Sequence, residues 1–295
     1  MAPDGPRYKA LGNSMAVNVM RAVAEYAACV TKALESGIDA VVVGAGLPLD
    51  LPDLAKDHPK AALIPILSDA RGVQLLVKKW ERKKRLPDAI VIENPRLAGG
   101  HLGAAKVTDL GDARFDFEVV IPQVREFFRQ AGYERDIPLI AAGGIADAAG
   151  VAAAMVLGAS AVQIGTAYMC CPESTTSALH RAVLQSPAAR HTALTNLLSG
   201  RPARGIVNRL MRELGPLSAL APAFPLATAA VAPLRSKAEG LGRTDFTPLI
   251  HPEADFTDDT VCTIAVAQAL LGEALKRHRE KARSEERRVG KECLR

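Results

Sequence analysis

Aromatic side chains are scarce. They make up 4% of the 295 residues, with a single tryptophan. A protein that tracks single-stranded nucleic acid stacks bases on aromatic rings, so that role is not expected. No run of about 18 apolar residues occurs, which excludes a membrane-spanning helix. The first fifteen residues lack an apolar h-region and do not read as a secretory signal. Cysteine is sparse too: Cys29, Cys170, Cys171, Cys262 and Cys293 are odd in number and form no CxxC pair. That speaks against a disulfide framework and a zinc knuckle, and for a reducing cytosol. An excess of one charge is also missing from most of the chain. The formal net charge is +5, yet residues 275–295 hold nine Lys/Arg and four Glu, leaving 28 basic and 28 acidic residues in the first 274. The body is neutral and the basic excess is a tail. Neither nucleic acid nor a membrane surface is an expected partner.

What is present is ordinary for a globular chain: 48% hydrophobic and 23% charged residues. Short apolar runs alternate with amphipathic stretches. The runs lie at 16–20, 39–43, 62–67, 88–92, 138–142 and 161–164. Helical stretches follow at about 23–36, 69–84, 118–130 (with Pro122 near its first turn) and 147–157. The runs are continuous rather than alternating, as in parallel strands covered on both faces. Strands alternating with helices mean βαβ units and an α/β fold. Asn18, Gly44, Glu93, Gly143 and Gly165 fall at the ends of several different strands, and a barrel gathers all strand ends on one face. A TIM (β/α)8-type barrel is therefore expected. Only six βα units are found by residue 186, so the first two units are read as lacking. Residues 187–249 read as helical and proline-interrupted, without a strand. They would form a lid, with a helix at 203–214 packing over the site.

Two glycine turns stand out. Ile140-Ala141-Ala142-Gly143-Gly144-Ile145 and Gln163-Ile164-Gly165-Thr166 each close a strand and open a helix. Glycines there let backbone N–H groups approach an anion, and a helix N-terminus adds its dipole. In such barrels a phosphate site often follows the seventh and eighth strands. A third loop, Ala98-Gly99-Gly100-His101-Leu102-Gly103, sets an imidazole beside paired glycines at a strand end. That placement suits a general base near neutral pH. His58, His180, His191, His251 and His278 lack such a frame and read as ordinary histidines.

Together, AGGHLG, AAGGI and QIGT resemble the nitronate monooxygenase (2-nitropropane dioxygenase) family of FMN-dependent TIM barrels. Val17-Asn18-Val19-Met20, Gly44-Ala45-Gly46-Leu47-Pro48 and Gly200-Arg201-Pro202-Ala203-Arg204-Gly205 fit the same pattern. The resemblance covers about residues 15–249. It implies that His101 is the catalytic base. It implies that Gly143, Gly144, Gln163, Ile164, Gly165 and Thr166 hold the FMN phosphate. It further implies that Asn18 contacts the flavin and that Gly99 and Gly100 pass close to its ring. The implied reaction oxidises an alkyl nitronate or nitroalkane with O2 to a carbonyl compound and nitrite. An FMN-dependent enoyl-[acyl-carrier-protein] reductase and an inactive barrel fragment are the alternatives. Glu93-Asn94-Pro95-Arg96-Leu97 departs from the family's more common Gln-Gly-x-Glu, so no flavin contact is assigned there.

Residues 1–249 are thus read as an incomplete barrel domain and 250–295 as a foreign tail. Asp255-Phe256-Thr257-Asp258-Asp259-Thr260 resembles the first metal-binding motif of ADP-ribosylglycohydrolases. Its acidic partners are missing, so no metal site is expected and a helix N-terminus is the reading. The stretch from Ser284 to Cys293 resembles an adapter-derived read-through sequence.

Overall fold

The computed structural model of the chain describes residues 16–101, 107–133, 137–172, 174, 176–224 and 226–244. The boundary read at 249/250 and the whole tail lie outside the described residues. The first half runs β1 (Ala16–Met20), α1 (Tyr26–Glu35), β2 (Ala40–Gly44), the short α2 (Leu51–Leu54), β3 (Ala62–Leu67), α3 (Ala70–Glu81), β4 (Ile90–Glu93) and the two-residue β5 (Gly100–His101). The second half runs α4 (Phe117–Ala131), β6 (Leu139–Ala142), α5 (Ala148–Leu157), β7 (Ala161–Gln163), short helices α6 (Thr166–Met169) and α7 (Ala178–Leu184), β8 (Thr192–Thr195), β9 (Ala203–Ile206), α8 (Arg209–Leu214) and α9 (Leu226–Gly240).

Six strands form one parallel sheet in the order β1-β2-β3-β4-β6-β7. Neighbours in sequence are neighbours in space, the order of a (β/α)-type barrel. The sheet is parallel and helix-covered, as the alternation implies. Its two edges, β1 and β7, do not pair with each other, so the described residues form no closed ring.

Strand periodicity sorts the core into two layers. Val41, Val43, Leu63, Ile90, Ile92, Leu139 and Val162 turn outward and join the helices. Ala40, Val42, Ala62, Ile64, Ala89, Val91, Ile140, Ala142 and Ala161 line the inner face, where small residues leave room for curvature. Helix α3 shows how a helix is fixed on the outside. Val73, Leu76, Val77 and Trp80 recur on one face and are fully buried. The Trp80 indole N–H donates to the Pro48 carbonyl at 3.1 Å, which meets its one polar demand. Asp69 caps the helix, accepting from the Gly72 N–H at 2.7 Å. Asp147 caps α5 in the same way at 2.8 Å, and Gly158 ends it with φ +105°. Pro122 lies further inside α4 than its first turn. No described helix is long and apolar enough to cross a membrane.

One expectation is overturned. Residues 187–249 are not strandless, because β8 and β9 form a small antiparallel sheet with β5 in the order β5-β9-β8. The helix read at 203–214 is also wrong in its first half. Ala203–Ile206 is strand β9, and α8 begins only at Arg209. Asn208 explains the break, since its side chain accepts from the Met211 N–H at 3.0 Å as an N-cap. The strands escaped sequence reading because Thr-Ala-Leu-Thr and Ala-Arg-Gly-Ile have little apolar periodicity. Their pairing comes from tertiary contact rather than propensity.

Candidate functional site

All six parallel strands point their C-terminal ends to one face, and the small sheet stands over that face. It holds His101 by backbone pairing, with Gly100 opposite Arg204 and His101 opposite Ala203. The His101 Nε2 lies 2.8 Å from Ser199 Oγ. That hydroxyl donates to the Arg201 carbonyl at 3.2 Å. A serine has one proton to give, so Nε2 is assigned as the N–H donor and Nδ1 as the basic nitrogen. Nδ1 is buried and has no hydrogen-bond partner among the described residues. Burial first, and the Arg201 charge second, push the imidazole down to about 4 from its ordinary 6.5. His101 is therefore neutral at pH 7, a state that can accept a proton. The Phe224 ring meets it edge-on with centroids 6.1 Å apart.

His101 separates two cavities. The larger, about 680 Å³, lies over the ends of β2 and β3 and is lined by Ala45, Gly46, Leu47, Ser68, Phe115 and Arg201, among others. Ser68 is buried and its hydroxyl is without a partner among the described residues. The smaller, about 300 Å³, is lined by Gly99, Gly100, Gly165, Thr166, Ser199 and Arg204, among others. Cavities of this size suit small molecules and cofactors.

The structure gathers five of the expected site residues around the smaller cavity: Gly99, Gly100, His101, Gly165 and Thr166. Asn18 and Gln163 stand on the two edge strands and face inward. Asn18 pairs in register with inner-face Val42, and Gln163 with inner-face Ala142. The Gln163 side-chain Oε1 is buried without a partner among the described residues. Ile164 packs its side chain against the outer core and lines neither cavity. Gly143 and Gly144 adopt φ +100° and +75° but line neither cavity. Leu97 stands between, lining the smaller cavity while pressing on Gly144, where an added Cβ would come within 2.8 Å of its own. Leu102 and Gly103 of the AGGHLG loop lie outside the described residues.

Sequence reading missed Ser199, Arg201, Arg204, Phe224 and Ser68. The signal for the two arginines was on the page. Gly200-Arg201-Pro202-Ala203-Arg204-Gly205 is a basic run framed by glycines that fits the family pattern, but a helix expected from 203 hides the strand β9 that carries Arg204.

The profile of the family described as nitronate monooxygenase matches residues 5–259. The chain belongs to the nitronate monooxygenase family. A nitronate monooxygenase from Pseudomonas aeruginosa is 39% identical over 160 residues, 54% of this chain and 43% of its own length. A probable nitronate monooxygenase from Staphylococcus saprophyticus is 29% identical over 221 residues, 73% of this chain and 57% of its own. The chain thus spans about half the length of the curated relatives it matches. Among solved structures, a nitroalkane oxidase from Streptomyces ansochromogenes superposes with a TM-score of 0.64 at 23% identity, over 97% of this chain and 86% of that one. FabK from Thermotoga maritima superposes with a TM-score of 0.58 at 24% identity, over 97% and 84%. At these identities the likeness is one of fold.

Nitronate monooxygenases are flavin-dependent oxidoreductases, so the implied cofactor is a flavin. The residues around the smaller cavity fit its anionic end. Arg204 brings a guanidinium whose buried Nε has no partner among the described residues, while its Nη1 donates to Thr192 Oγ1 at 3.2 Å. Gly99 is close enough to Thr166 that a Cβ would stand 3.3 Å from its hydroxyl. A cation, a hydroxyl and a glycine-walled space make up a phosphate donor set.

Proposed function

We propose that this chain binds FMN and oxidises alkyl nitronates, and nitroalkanes after their deprotonation, with O2 to carbonyl compounds and nitrite. The observation that carries the reading is the position of His101. It is a neutral, glycine-framed imidazole at the junction of a phosphate-type cradle and a larger cavity. Gly165, Thr166 and Arg204 would hold the FMN phosphate, with Gly99 and Gly100 letting the ring pass close. Asn18 and Gln163 would offer amide groups from the edge strands. Gly144 would join the cradle once the Leu97 side chain swings aside, while Gly143, packed on the Asn94 and Ala98 backbone, would hold the turn beside it. Bound there, the flavin would supply the electron transfer from nitronate and the reaction with O2.

The chain's own contribution is to place and move a proton. A nitroalkane must lose its α-proton before oxidation, and His101 Nδ1 is the nitrogen free to take it. Ser199 fixes the tautomer through Nε2, as second partners of catalytic imidazoles do. A nitronate arrives already deprotonated and needs no base. His101→Asn is therefore expected to cut nitroalkane turnover by about 10²-fold or more, the usual scale of general-base loss, with a smaller effect on nitronate turnover. Equal losses on both substrates would remove the base assignment.

The test of the whole reading is spectral. The purified chain, incubated with FMN and desalted, is expected to show a flavin spectrum and release FMN on denaturation. It should then form nitrite from ethylnitronate. A colourless chain that takes up no FMN would overturn the proposal. A yellow chain that forms no nitrite but oxidises NAD(P)H with an enoyl thioester would replace it with reductase activity.

A further inference from the structure

The larger cavity holds a positive charge that the base chemistry of His101 does not use. Arg201 lines it beside His101. Its guanidinium lies over the Phe224 ring at 5.2 Å, and the same ring meets the His101 imidazole edge-on. The three side chains therefore form one cluster, in which His101 and Arg201 line the cavity and Phe224 backs both. The backbone beneath Arg201 is tightly held. Gly200, at φ +85°, lies so close to the 222–224 segment that an added Cβ would come within 2.3 Å of the Phe224 nitrogen. Ser199 and Arg201 are further tied by the hydroxyl-to-carbonyl bond.

Of the other charged groups of this cavity, Arg71 is exposed at the start of α3, whereas Arg201 stands on the Phe224 ring that also meets His101. The remaining two have work already. Arg114 pairs with Asp109 at 2.9 Å and with Asp112 at 3.5 Å. Asp69 spends its carboxylate on the Gly72 N–H. Among the described residues Arg201 has no carboxylate partner, and the imidazole at its side is neutral. A guanidinium beside a neutral base, stacked on an aromatic face, lacks a counter-charge that an anionic ligand would bring.

We propose that Arg201 is the specificity-determining residue of this site, binding the anionic nitro oxygens of a nitronate and favouring it over the neutral nitroalkane. The inference deepens the function proposed above and rests on it. His101 and Arg201 then divide the labour. The imidazole takes a proton from the neutral substrate, and the guanidinium holds the anion, whether it formed in the site or arrived as such. The planar fork of arginine matches the two coplanar oxygens of a nitronate, as it matches a carboxylate.

The test compares wild type, Arg201→Gln and Arg201→Lys in the FMN-loaded full chain, with ethylnitronate and nitroethane as paired substrates. Losing a charge-assisted pair is expected to raise the nitronate KM about tenfold or more in Arg201→Gln. The nitronate kcat and the nitroethane KM should change little by comparison. Arg201→Lys should recover part of the nitronate KM, since the charge returns without the fork. An unchanged nitronate KM in a folded, flavin-loaded Arg201→Gln would overturn the proposal. So would an equal rise in both KM values.

A second measurement separates this proposal from the activity it rests on. Nitrate is a planar oxyanion that needs no turnover. Added to the chain with labelled histidine, it is expected to raise the NMR titration midpoint of His101 in wild type but not in Arg201→Gln. That result would support anion binding at Arg201 even if nitrite is never formed. A shift of equal size in both chains would overturn it. Should Arg201→Gln fail to fold, wild type alone decides: the nitrate-induced shift must weaken as sodium chloride is raised, and a salt-independent or absent shift refutes the proposal.

Discussion

The base proposed for this site is an imidazole that stays neutral far below neutral pH. Burial and the Arg201 guanidinium hold His101 down to about 4, so its basic form is present across the whole neutral range. The acid limb of kcat/KM for a nitroalkane is accordingly expected near pH 4 in the free enzyme, not near 6.5. A limb at 6.5 would show that the working base lies elsewhere. Ser199→Ala removes the partner that fixes the tautomer. About a tenfold fall in nitroalkane kcat is expected, smaller than the loss of the base itself, with flavin content unchanged. His101 was legible in the sequence because glycines frame it at a strand end. Ser199 and Arg201 were not, because they reach the site from a segment about a hundred residues away.

Elements carried clear local signals at several boundaries that one residue decides. Asp69 and Asp147 stand just before apolar periodicity and cap α3 and α5. Asp69→Ala is expected to cost about 1 kcal/mol, the ordinary value of a lost cap, read as a small fall in the denaturation midpoint. Six parallel strands and their helices were legible for the same reason: continuous apolar runs of the right length. Strands β8 and β9 were not, since among the described residues β8 pairs only with β9, β9 reaches two residues of the His101 loop, and neither carries a pattern of its own. The Gly143-Gly144 turn was read correctly as a turn, yet its neighbour Leu97 was invisible to any spacing argument. Gly144→Ala meets both a positive φ and the Leu97 side chain. A stability loss of about 1–3 kcal/mol is expected, the scale of a strained backbone position. Chemical denaturation would measure it.

At the scale of the molecule, the same depressed imidazole links stability to pH. His101 has a lower value folded than unfolded, so between pH 6.5 and 4 the unfolded chain binds the extra proton. Its contribution is complete above about 6.5 and is lost as pH falls toward 4. The shift from 6.5 to about 4 corresponds to roughly 3 kcal/mol. The denaturation midpoint is expected to fall across that window, and less so in His101→Asn. A pH-independent difference between the two chains would contradict this. The parallel sheet also leaves β1 and β7 unpaired among the described residues, and α5 beside β7 exposes Val156 and Met155. Strand order was legible from the chain, because each parallel strand is a continuous apolar run followed by its helix.

The bond between His101 and Ser199 spans 98 positions, while each strand of the large sheet pairs mainly with its neighbour in sequence. This sets an order of assembly. Near-neighbour pairings close short loops and form early; the clasp of β5 by β9 closes a long one and comes late. During synthesis, the sheet can begin to pack well before Ala203–Ile206 has been made, and the imidazole waits for it. The clasp is also the part most easily undone. Amide exchange at Gly100 and His101 should then be faster than at Val91 and Ile92. A folded barrel wall would persist while the reactive corner briefly opens and closes again.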